Sequence, residues 1–131
     1  GLIGPNGCGK TTLLRVASGI LSPMSGQVEV AGENSRRLAR RTLAKVMACL
    51  LQDFSLDLPF TVREVALMGR WPHLPRLGWE TRRDHRIAQE AMELADVSHL
   101  ADRAITEISG GERQRAFIAM CLAQQPQVLL L

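Results

Sequence analysis

The sequence predicts an α/β fold, and three observations support this prediction. A glycine-rich segment at residues 4–11 lies between an apolar strand end, Leu2-Ile3, and a helical segment. Two short apolar runs, 46–51 and 128–131, have the length and continuity of strands buried in a parallel sheet. Residues 81–97 carry apolar side chains at helical spacing. Strands that alternate with helices in this way are typical of a sheet covered by helices.

Length and composition indicate one globular unit. The chain has 131 residues, 46% of them apolar, and a net charge of +3. No apolar run reaches the roughly 18 residues that a membrane span needs. The scattered cysteines favour free thiols over a disulfide or a zinc site, and the histidines have no ligand spacing. Because the chain begins and ends inside predicted strands, we expect a fragment that is incomplete at both ends.

The glycine-rich segment matches the phosphate-binding pattern G-x-x-x-x-G-K-[ST] without a mismatch. Its residues are Gly4, Pro5, Asn6, Gly7, Cys8, Gly9, Lys10 and Thr11. Gly7 and Gly9 allow a tight turn that brings backbone N–H groups to a phosphate. Lys10 supplies a full positive charge, and the Thr11 hydroxyl is placed to ligate Mg²⁺. The pattern and its flanks predict a nucleotide-phosphate site, with Gly19 ending the following helix.

The next segment combines a short β piece with a basic helix. Residues 27–31 alternate polar and apolar side chains, which predicts a half-exposed strand closed by a turn at 32–35. We expect a short helix up to Ala44 that places four arginines on one face, namely Arg36, Arg37, Arg40 and Arg41. No aromatic residues interleave with them, so a solvated face is favoured and no direct nucleic-acid contact is expected.

The middle of the chain predicts a helical subdomain at 56–107, inserted in an α/β core made of 1–55 and 108–131. Thr61 and Glu64 form a capping box that opens a short helix. A second helix follows at 81–97, and its predicted buried stripe is Ile87, Ala91, Leu94 and Ala95. Just before this part, Gln52 follows a predicted strand, where ligands bind in open α/β sheets. Taken alone, it is equally well an ordinary loop glutamine.

A second helix start with glycines lies near the end of the chain. Ser109 and Glu112 form another capping box, with Gly110 and Gly111 between them. Glycine lowers helix propensity by up to about 1 kcal/mol, and a purely structural cap does not need it. Bare glycines let backbone N–H groups approach an anion, although incidental glycines in a capped surface helix explain the pattern equally well. The predicted buried face is Ala116, Phe117, Ala119, Met120 and Ala123, and Pro126 stops the helix.

The order of these pieces resembles the ATP-binding subunit of ATP-binding-cassette (ABC) transporters. Residues 4–12 resemble the Walker A loop, Gln52 the Q-loop glutamine, 108–114 the signature, and 125–131 the lead into the Walker B strand. The resemblance implies a P-loop NTPase (RecA-like) core with an antiparallel β piece and a helical insertion. The segment 61–73 is also similar to importers of iron–siderophore, haem or cobalamin complexes.

The resemblance also implies roles for single residues. The ATP-binding set is Gly4, Pro5, Asn6, Gly7, Cys8, Gly9, Lys10, Thr11 and Thr12. Lys10 and Gln52 would be catalytic, and Thr11 and Gln52 would bind Mg²⁺. The signature residues, which would contact ATP held by a second subunit, are Ser109, Gly110, Gly111 and Glu112. The implied partners are a second copy of the subunit, transmembrane permease subunits and a substrate-binding protein, at the cytoplasmic face of the membrane.

Several parts of the family pattern fall outside this sequence. The adenine-stacking aromatic would precede Gly1, and the Walker B aspartate, the catalytic glutamate and the H-loop histidine would follow Leu131. We therefore expect the fragment alone not to hydrolyse ATP. Soluble ABC ATPases of DNA repair or translation share these motifs, but the 57 residues from Gln52 to Ser109 are too few for the long insertions of repair types. A two-cassette translation protein and a non-hydrolysing nucleotide-binding regulator stay open as alternatives.

Overall fold

A computed structural model describes residues 3–5, 7–50, 56, 58–75 and 77–131. Helices and short strands alternate over these ranges, which confirms the predicted α/β class. The elements are α1 Lys10–Ala17, β1 Glu29–Val30, β2 Glu33–Asn34, α2 Arg40–Val46, β3 Met47–Cys49, α3 Val62–Met68, α4 Arg82–Leu94, a 3₁₀ turn Ser98–Leu100, α5 Gly110–Ala123 and β4 Val128–Leu130. No helix in these ranges is long and apolar enough to cross a membrane.

The two apolar runs form short strands, as predicted, and the structure pairs them with each other. Strands β3 and β4 are parallel, with Ala48 opposite Leu129 in the register. Two further backbone hydrogen bonds extend the ladder, from the Gln127 amide to the Val46 carbonyl (2.8 Å) and from the Leu50 amide to the Leu130 carbonyl (2.9 Å). Because the pairing is parallel, β3 and β4 end at the same edge of the sheet.

The antiparallel β piece is a hairpin, and its second strand lies where a turn was predicted. Strand β1 covers only Glu29–Val30, and Glu33–Asn34 pairs with it as β2. The loop between them is Ala31-Gly32, with φ of 53° and 81°. Positive φ at both central positions is the type I′ geometry, whose twist matches two antiparallel strands. The chain therefore reverses after two residues, which leaves room for the second strand.

Two predictions from the first third of the chain are wrong. Ile3 lies in no strand and is 98% exposed, because no described strand pairs with it; Leu2, the other residue of the predicted strand end, lies outside the described residues. The four arginines do not share a helical face, because α2 begins only at Arg40. Arg36 and Arg37 lie in a turn whose amides bond the side-chain and backbone oxygens of Asn34, at 3.0 Å and 2.9 Å. This asparagine-based turn competes with the helix and delays its start.

Helices α3, α4 and α5 pack around one hydrophobic core. Its fully buried side chains include Val62, Val65, Ala66, Met92, Val97, Ile105, Ala116 and Ala119. The small residues among them let the helix backbones approach closely. The predicted α/β core includes α5, yet α5 shares this hydrophobic core with the helices of the predicted subdomain. The boundary between the two predicted parts stays a prediction.

Three residues of the predicted buried stripe of α4, namely Ile87, Ala91 and Ala95, are buried as predicted, but the fourth is not. Leu94 is 78% exposed, whereas Met92, which was not predicted, is fully buried. The face that contacts α3 and α5 is centred on Ala88 and Ala91, and Leu94 lies just beyond its edge. On α5, Met120 is only half-buried and Cys121 takes a buried position. Burial raises the pKa of Cys121 to about 11, so this free cysteine is a neutral thiol of the core.

The best-buried charges of the described chain are Arg70 and Asp84, whose Nε and Oδ1 atoms lie 3.0 Å apart. Burial acts to raise the pKa of Asp84. Hydrogen bonds from Thr81, followed by the hydrogen bond and charge of Arg70, outweigh it and lower the pKa from 3.8 to about 2. Asp84 also completes a capping box with Thr81 at the start of α4. The same carboxylate therefore fixes the start of a helix and neutralises a buried guanidinium.

We expect Asp84→Asn to lower the free energy of unfolding by about 3 kcal/mol near neutral pH, because it leaves the Arg70 charge buried without its carboxylate. Because the pKa of Asp84 is lower in the folded state than in the unfolded state, its carboxylate stabilises the fold fully above about pH 4. This stabilisation is lost as the pH falls towards 2. The drop in the pKa of Asp84 from 3.8 to about 2 corresponds to about 2 kcal/mol.

Urea unfolding of the intact protein at a series of pH values measures both effects. The difference in the free energy of unfolding between wild type and Asp84→Asn should decrease by about 2 kcal/mol as the pH is lowered from about 5 to 2. Glu90→Gln is the control, because Glu90 forms only an exposed pair with Arg86 at 3.7 Å, and its effect should stay below about 0.5 kcal/mol. If this difference in the free energy of unfolding does not change with pH, the lowered pKa of Asp84 is contradicted.

Candidate functional site

The glycine-rich loop adopts a conformation that needs two of its glycines. Gly7 and Gly9 have φ of 82° and 92°, in the left-handed region that residues with a Cβ atom avoid. A Cβ atom at either position would meet nothing within 4 Å, so conformation and not crowding requires glycine there. Gly9 is also the N-cap of α1, with no side-chain cap. Asn6 lies outside the described residues.

The start of α1 presents free backbone donors. The first amide to bond within the helix is that of Leu13, which reaches the Gly9 carbonyl at 2.8 Å. Within the described chain, the amides of Lys10, Thr11 and Thr12 have no acceptor, and no acidic side chain occupies this turn. Thr11 and Thr12 are exposed. Unpaired amides at the positive end of a helix dipole are suited to bind an anion such as phosphate.

Lys10 folds back across its own loop. Its Nζ donates to the Gly4 carbonyl at 2.7 Å and to the Pro5 carbonyl at 2.8 Å, and the Cys8 sulfur is 3.8 Å away. These neutral carbonyls solvate the ammonium but do not neutralise it. A phosphate at the loop would offer a charged acceptor in their place, and charge-assisted hydrogen bonds are roughly twice as strong as neutral ones.

The start of α5 is capped as predicted. The Ser109 hydroxyl accepts from the Glu112 amide at 3.3 Å, while Glu112 Oε2 accepts from the Ser109 amide and hydroxyl at 2.7 Å and 2.6 Å. The hydrogen bonds from the Ser109 side chain and backbone lower the pKa of Glu112, which keeps it a carboxylate. The cap uses the amides of residues 109 and 112, and the structure gives no acceptor for those of Gly110 and Gly111 among the described residues.

The fold itself does not require glycine at positions 110 and 111. Both residues are exposed and have ordinary negative φ. An added Cβ atom at Gly110 would meet nothing within 4 Å, and one at Gly111 would approach only the Arg115 guanidinium, at 3.9 Å. Gly69 is the opposite case, since its Cβ atom would lie 2.1 Å from the Met120 carbonyl oxygen. The packing of the described residues therefore gives no reason for the glycines at the start of α5.

The starts of α1 and α5 are not bonded to each other in the described structure. No hydrogen bond or ion pair links Lys10–Thr12 to Ser109–Glu112 within the described ranges. The loop supplies a lysine and hydroxyls, and the α5 start supplies free glycine amides and a capped serine. Gln52, predicted as a ligand of the same site, lies outside the described residues, so its role stays a prediction.

Sequence reasoning missed the residues at the other end of α5. Arg70 Nη1 donates to the Ala123 carbonyl at 2.7 Å, and His73 Nε2 contacts the Gln124 carbonyl at 2.8 Å. His73 was expected to be an ordinary surface or partly buried polar residue. A signal was present, because Asp84 interrupts the apolar stripe of α4, and an acid on a buried face calls for a basic partner.

Comparisons with known proteins agree with this geometry. The family model described as ABC transporter matches residues 1–131. The cobalamin import ATP-binding protein BtuD of Halobacterium salinarum is 44% identical over 131 residues, which are 100% of this chain and 32% of that protein. The ferric enterobactin transport ATP-binding protein FepC of Escherichia coli is 40% identical over 130 residues, 99% of this chain and 48% of that protein. The chain thus spans a third to a half of these relatives' length.

Solved structures give the same result. A nucleotide-free ATP-binding cassette from an ABC transporter superposes with a TM-score of 0.78 at 25% identity, covering 96% of this chain and 54% of that one. An ABC transporter described as metal-chelate type, in an inward-facing conformation, gives a TM-score of 0.79 at 30% identity, covering 98% and 46%. With the family model matched over every residue, the chain belongs to the ABC transporter family and has the P-loop fold of its nucleotide-binding domains.

Proposed function

We propose that this chain is part of the ATP-binding subunit of an ABC transporter that imports an iron–siderophore, haem or cobalamin complex. The observation that carries the proposal is the open start of α5, where Gly110 and Gly111 are free of any packing or conformational requirement. Backbone that is bare on its outer side is suited to a charged ligand held by another molecule. The cargo class rests on relatives whose names give cobalamin, ferric enterobactin and hemin as what they transport.

In this proposal the loop holds Mg·ATP, the substrate. The amides of Lys10, Thr11 and Thr12 donate to phosphate oxygens, together with those of the glycine turn. The Lys10 ammonium leaves the carbonyls of Gly4 and Pro5 and pairs with the β- and γ-phosphates. The Thr11 hydroxyl contacts Mg²⁺, and Gln52 contacts the metal and the attacking water. These groups stabilise negative charge on the transferred phosphoryl group.

The start of α5 acts on the nucleotide of a second subunit. Ser109, Gly110, Gly111 and Glu112 of one copy face the loop of the other, so each site is completed across a dimer interface. Two observations support this arrangement. No hydrogen bond or ion pair of the described chain joins the two half-sites, and the α5 start has no lysine beside its free amides, which the partner's Lys10 would provide. ATP closes the dimer, and hydrolysis opens it again.

The helical segment is proposed to dock on the permease at the cytoplasmic face of the membrane. Large apolar side chains are exposed between α3 and α4, namely Trp71, Leu77 and Trp79. Trp79 is 88% exposed although it is among the largest apolar residues of the chain. Exposed aromatic residues concentrated on one short segment are typical of protein interfaces. A substrate-binding protein outside the membrane would complete an importer.

Lys10→Ala should reduce ATP hydrolysis by the intact protein at least about 100-fold, because the phosphates lose a preorganised positive charge. Phosphate release from purified protein measures this effect. Lys45→Ala, which removes an exposed lysine of α2 far along the chain, is the control and should keep wild-type turnover. Normal hydrolysis by Lys10→Ala would contradict the assignment of the loop.

Gly111→Ala should separate stability from activity. Alanine is the better helix former and meets no clash here, so the free energy of unfolding should stay the same or rise by up to about 1 kcal/mol. Hydrolysis by the assembled dimer should still fall about 10-fold or more, because a Cβ atom blocks close approach of a phosphate. Thermal unfolding and turnover are measured on the same samples. Loss of both properties together would indicate a structural role for the glycine.

Ser109→Arg tests whether α5 acts on the second subunit. Nucleotide binding by the isolated subunit should stay within about twofold of wild type, while hydrolysis in the assembled dimer should be blocked. Binding is followed with a fluorescent ATP analogue. Loss of binding by the isolated subunit would show that Ser109 serves its own loop, and the proposed dimer site would be wrong.

Trp79→Ser should lower co-purification of the subunit with its permease at least about 10-fold, because an exposed tryptophan is a common anchor of interfaces. Leu94→Ser is the matched control, since Leu94 is also a large exposed apolar residue but lies on α4. Basal ATP hydrolysis should be unchanged in both variants. Equal retention of the permease by the two variants would contradict this docking surface.

A further inference from the structure

The segment Gly69–His73 lies against the C-terminal end of α5, with backbone touching backbone. A Cβ atom on Gly69 would lie 2.1 Å from the Met120 carbonyl oxygen and 3.1 Å from the Ala123 side chain. Only glycine fits at this distance. The sequence singles out Gly69, Arg70, Pro72 and His73 by resemblance to a group of importers, but the proposed ATP site gives these residues no role.

Arg70 and His73 cap the end of α5. The last carbonyl groups of a helix receive no hydrogen bond from an N–H group of the same helix, and they form the negative end of its dipole. Arg70 Nη1 donates to the Ala123 carbonyl at 2.7 Å, from 53 residues earlier in the chain. His73 Nε2 lies 2.8 Å from the Gln124 carbonyl, and because a carbonyl only accepts, this nitrogen carries the proton.

Arg70 is itself fixed on three sides. Its Nε donates to Asp84 at 3.0 Å, and Nη1 reaches the Gln125 side chain at 3.1 Å in addition to Ala123. A guanidinium is planar, and its donors point in fixed directions. The start of α4 and the end of α5 are therefore held at one relative orientation by a single buried side chain.

Gln124 extends this contact to the sheet. Its backbone carbonyl accepts from His73, while its side-chain nitrogen donates to the carbonyls of Met47, at 2.7 Å, and Ala44. Met47 begins β3 and Ala44 lies in α2. One residue thus touches the helical segment and the start of the strand that leads towards Gln52. Arg41 adds a second link, from its Nε to the Pro72 carbonyl at 2.9 Å.

We infer that Arg70 and His73 are positioning residues that set the direction of α5 and so place Ser109–Glu112 on the partner's nucleotide. The inference rests on the proposed function. Helix α5 has 14 residues, so it is about 20 Å long. A tilt of about 10° about the C-terminal end of α5 would move its N-terminal end by about 3–4 Å. Displacements of only about 1 Å can cost 100-fold in rate when groups must be aligned for reaction.

His73 separates positioning from folding better than Arg70 does. Removing Arg70 leaves Asp84 buried without its partner and threatens the core. His73 is only half-buried and belongs to neither hydrophobic cluster of the described chain, and the described hydrogen bond of its side chain goes to the helix end alone. His73→Leu removes the donor, and His73→Gln keeps an N–H group at a similar reach. His85→Leu is the matched control, because His85 is exposed on α4.

The experiment measures steady-state ATP hydrolysis by the intact subunit assembled with its membrane partners, with melting temperature and Mg·ATP binding by the isolated subunit as further readouts. We expect His73→Leu to lower kcat about 10-fold with KM for ATP within about threefold. ATP binding by the isolated subunit and the melting temperature should match His85→Leu. His73→Gln should restore at least half of the wild-type kcat.

Three outcomes would overturn the inference. The first is a wild-type kcat for His73→Leu. The second is a loss that follows a lower melting temperature and is not rescued by His73→Gln. The third is an equal loss in His85→Leu. Failure of the proposed function looks different, because turnover would then be absent from wild type, or unchanged in Lys10→Ala, before any change at His73 is made.

Discussion

The unpaired backbone groups at helix ends are the constraint on which this structure depends. Every helix leaves several N–H groups at its start and several C=O groups at its end without a partner in the helix. Here α3, α4 and α5 begin with capping boxes built on Thr61, Thr81 and Ser109. At the end of α5 the carbonyls are met by Arg70 and His73. Helix α1 begins with neither device, and its free amides adjoin a glycine loop and a lysine.

The packing follows from how these ends are satisfied. Because Arg70 must reach both Asp84 and the end of α5, the segment between α3 and α4 is drawn onto α5, where only Gly69 allows the approach. The core between the three helices is then filled by many small side chains, which permit short distances between axes. The buried ion pair is a weak source of net stability, yet breaking it is costly, so it fixes orientation more than it adds free energy.

Features that depend on neighbouring residues could be predicted from the sequence. Features that depend on contacts between residues far apart in the sequence could not. The tight turn at Gly7 and Gly9, the two apolar strands, and the capping boxes at Thr61 and Ser109 were all found, because each depends on neighbouring residues or on apolar continuity. The turn at Arg36 was missed because it depends on a competing hydrogen bond to Asn34. The hydrogen bond from Arg70 to the end of α5 was missed because its acceptor lies 53 residues further on. No periodic pattern in the sequence indicates such a pair.

The two ends of α5 show how stability and activity divide along one helix. The proposed anion site at the start of α5 needs unpaired amides and an exposed backbone, and Gly110 and Gly111 supply both at a cost in helix propensity. The C-terminal end of α5 has no proposed ligand, so groups of the same chain can cap its carbonyls. Although α5 has low helix propensity at its N-terminal end, the hydrogen bonds at its C-terminal end still fix the direction of the helix. In the proposed dimer, that direction would decide whether the free amides meet the phosphate of the second subunit.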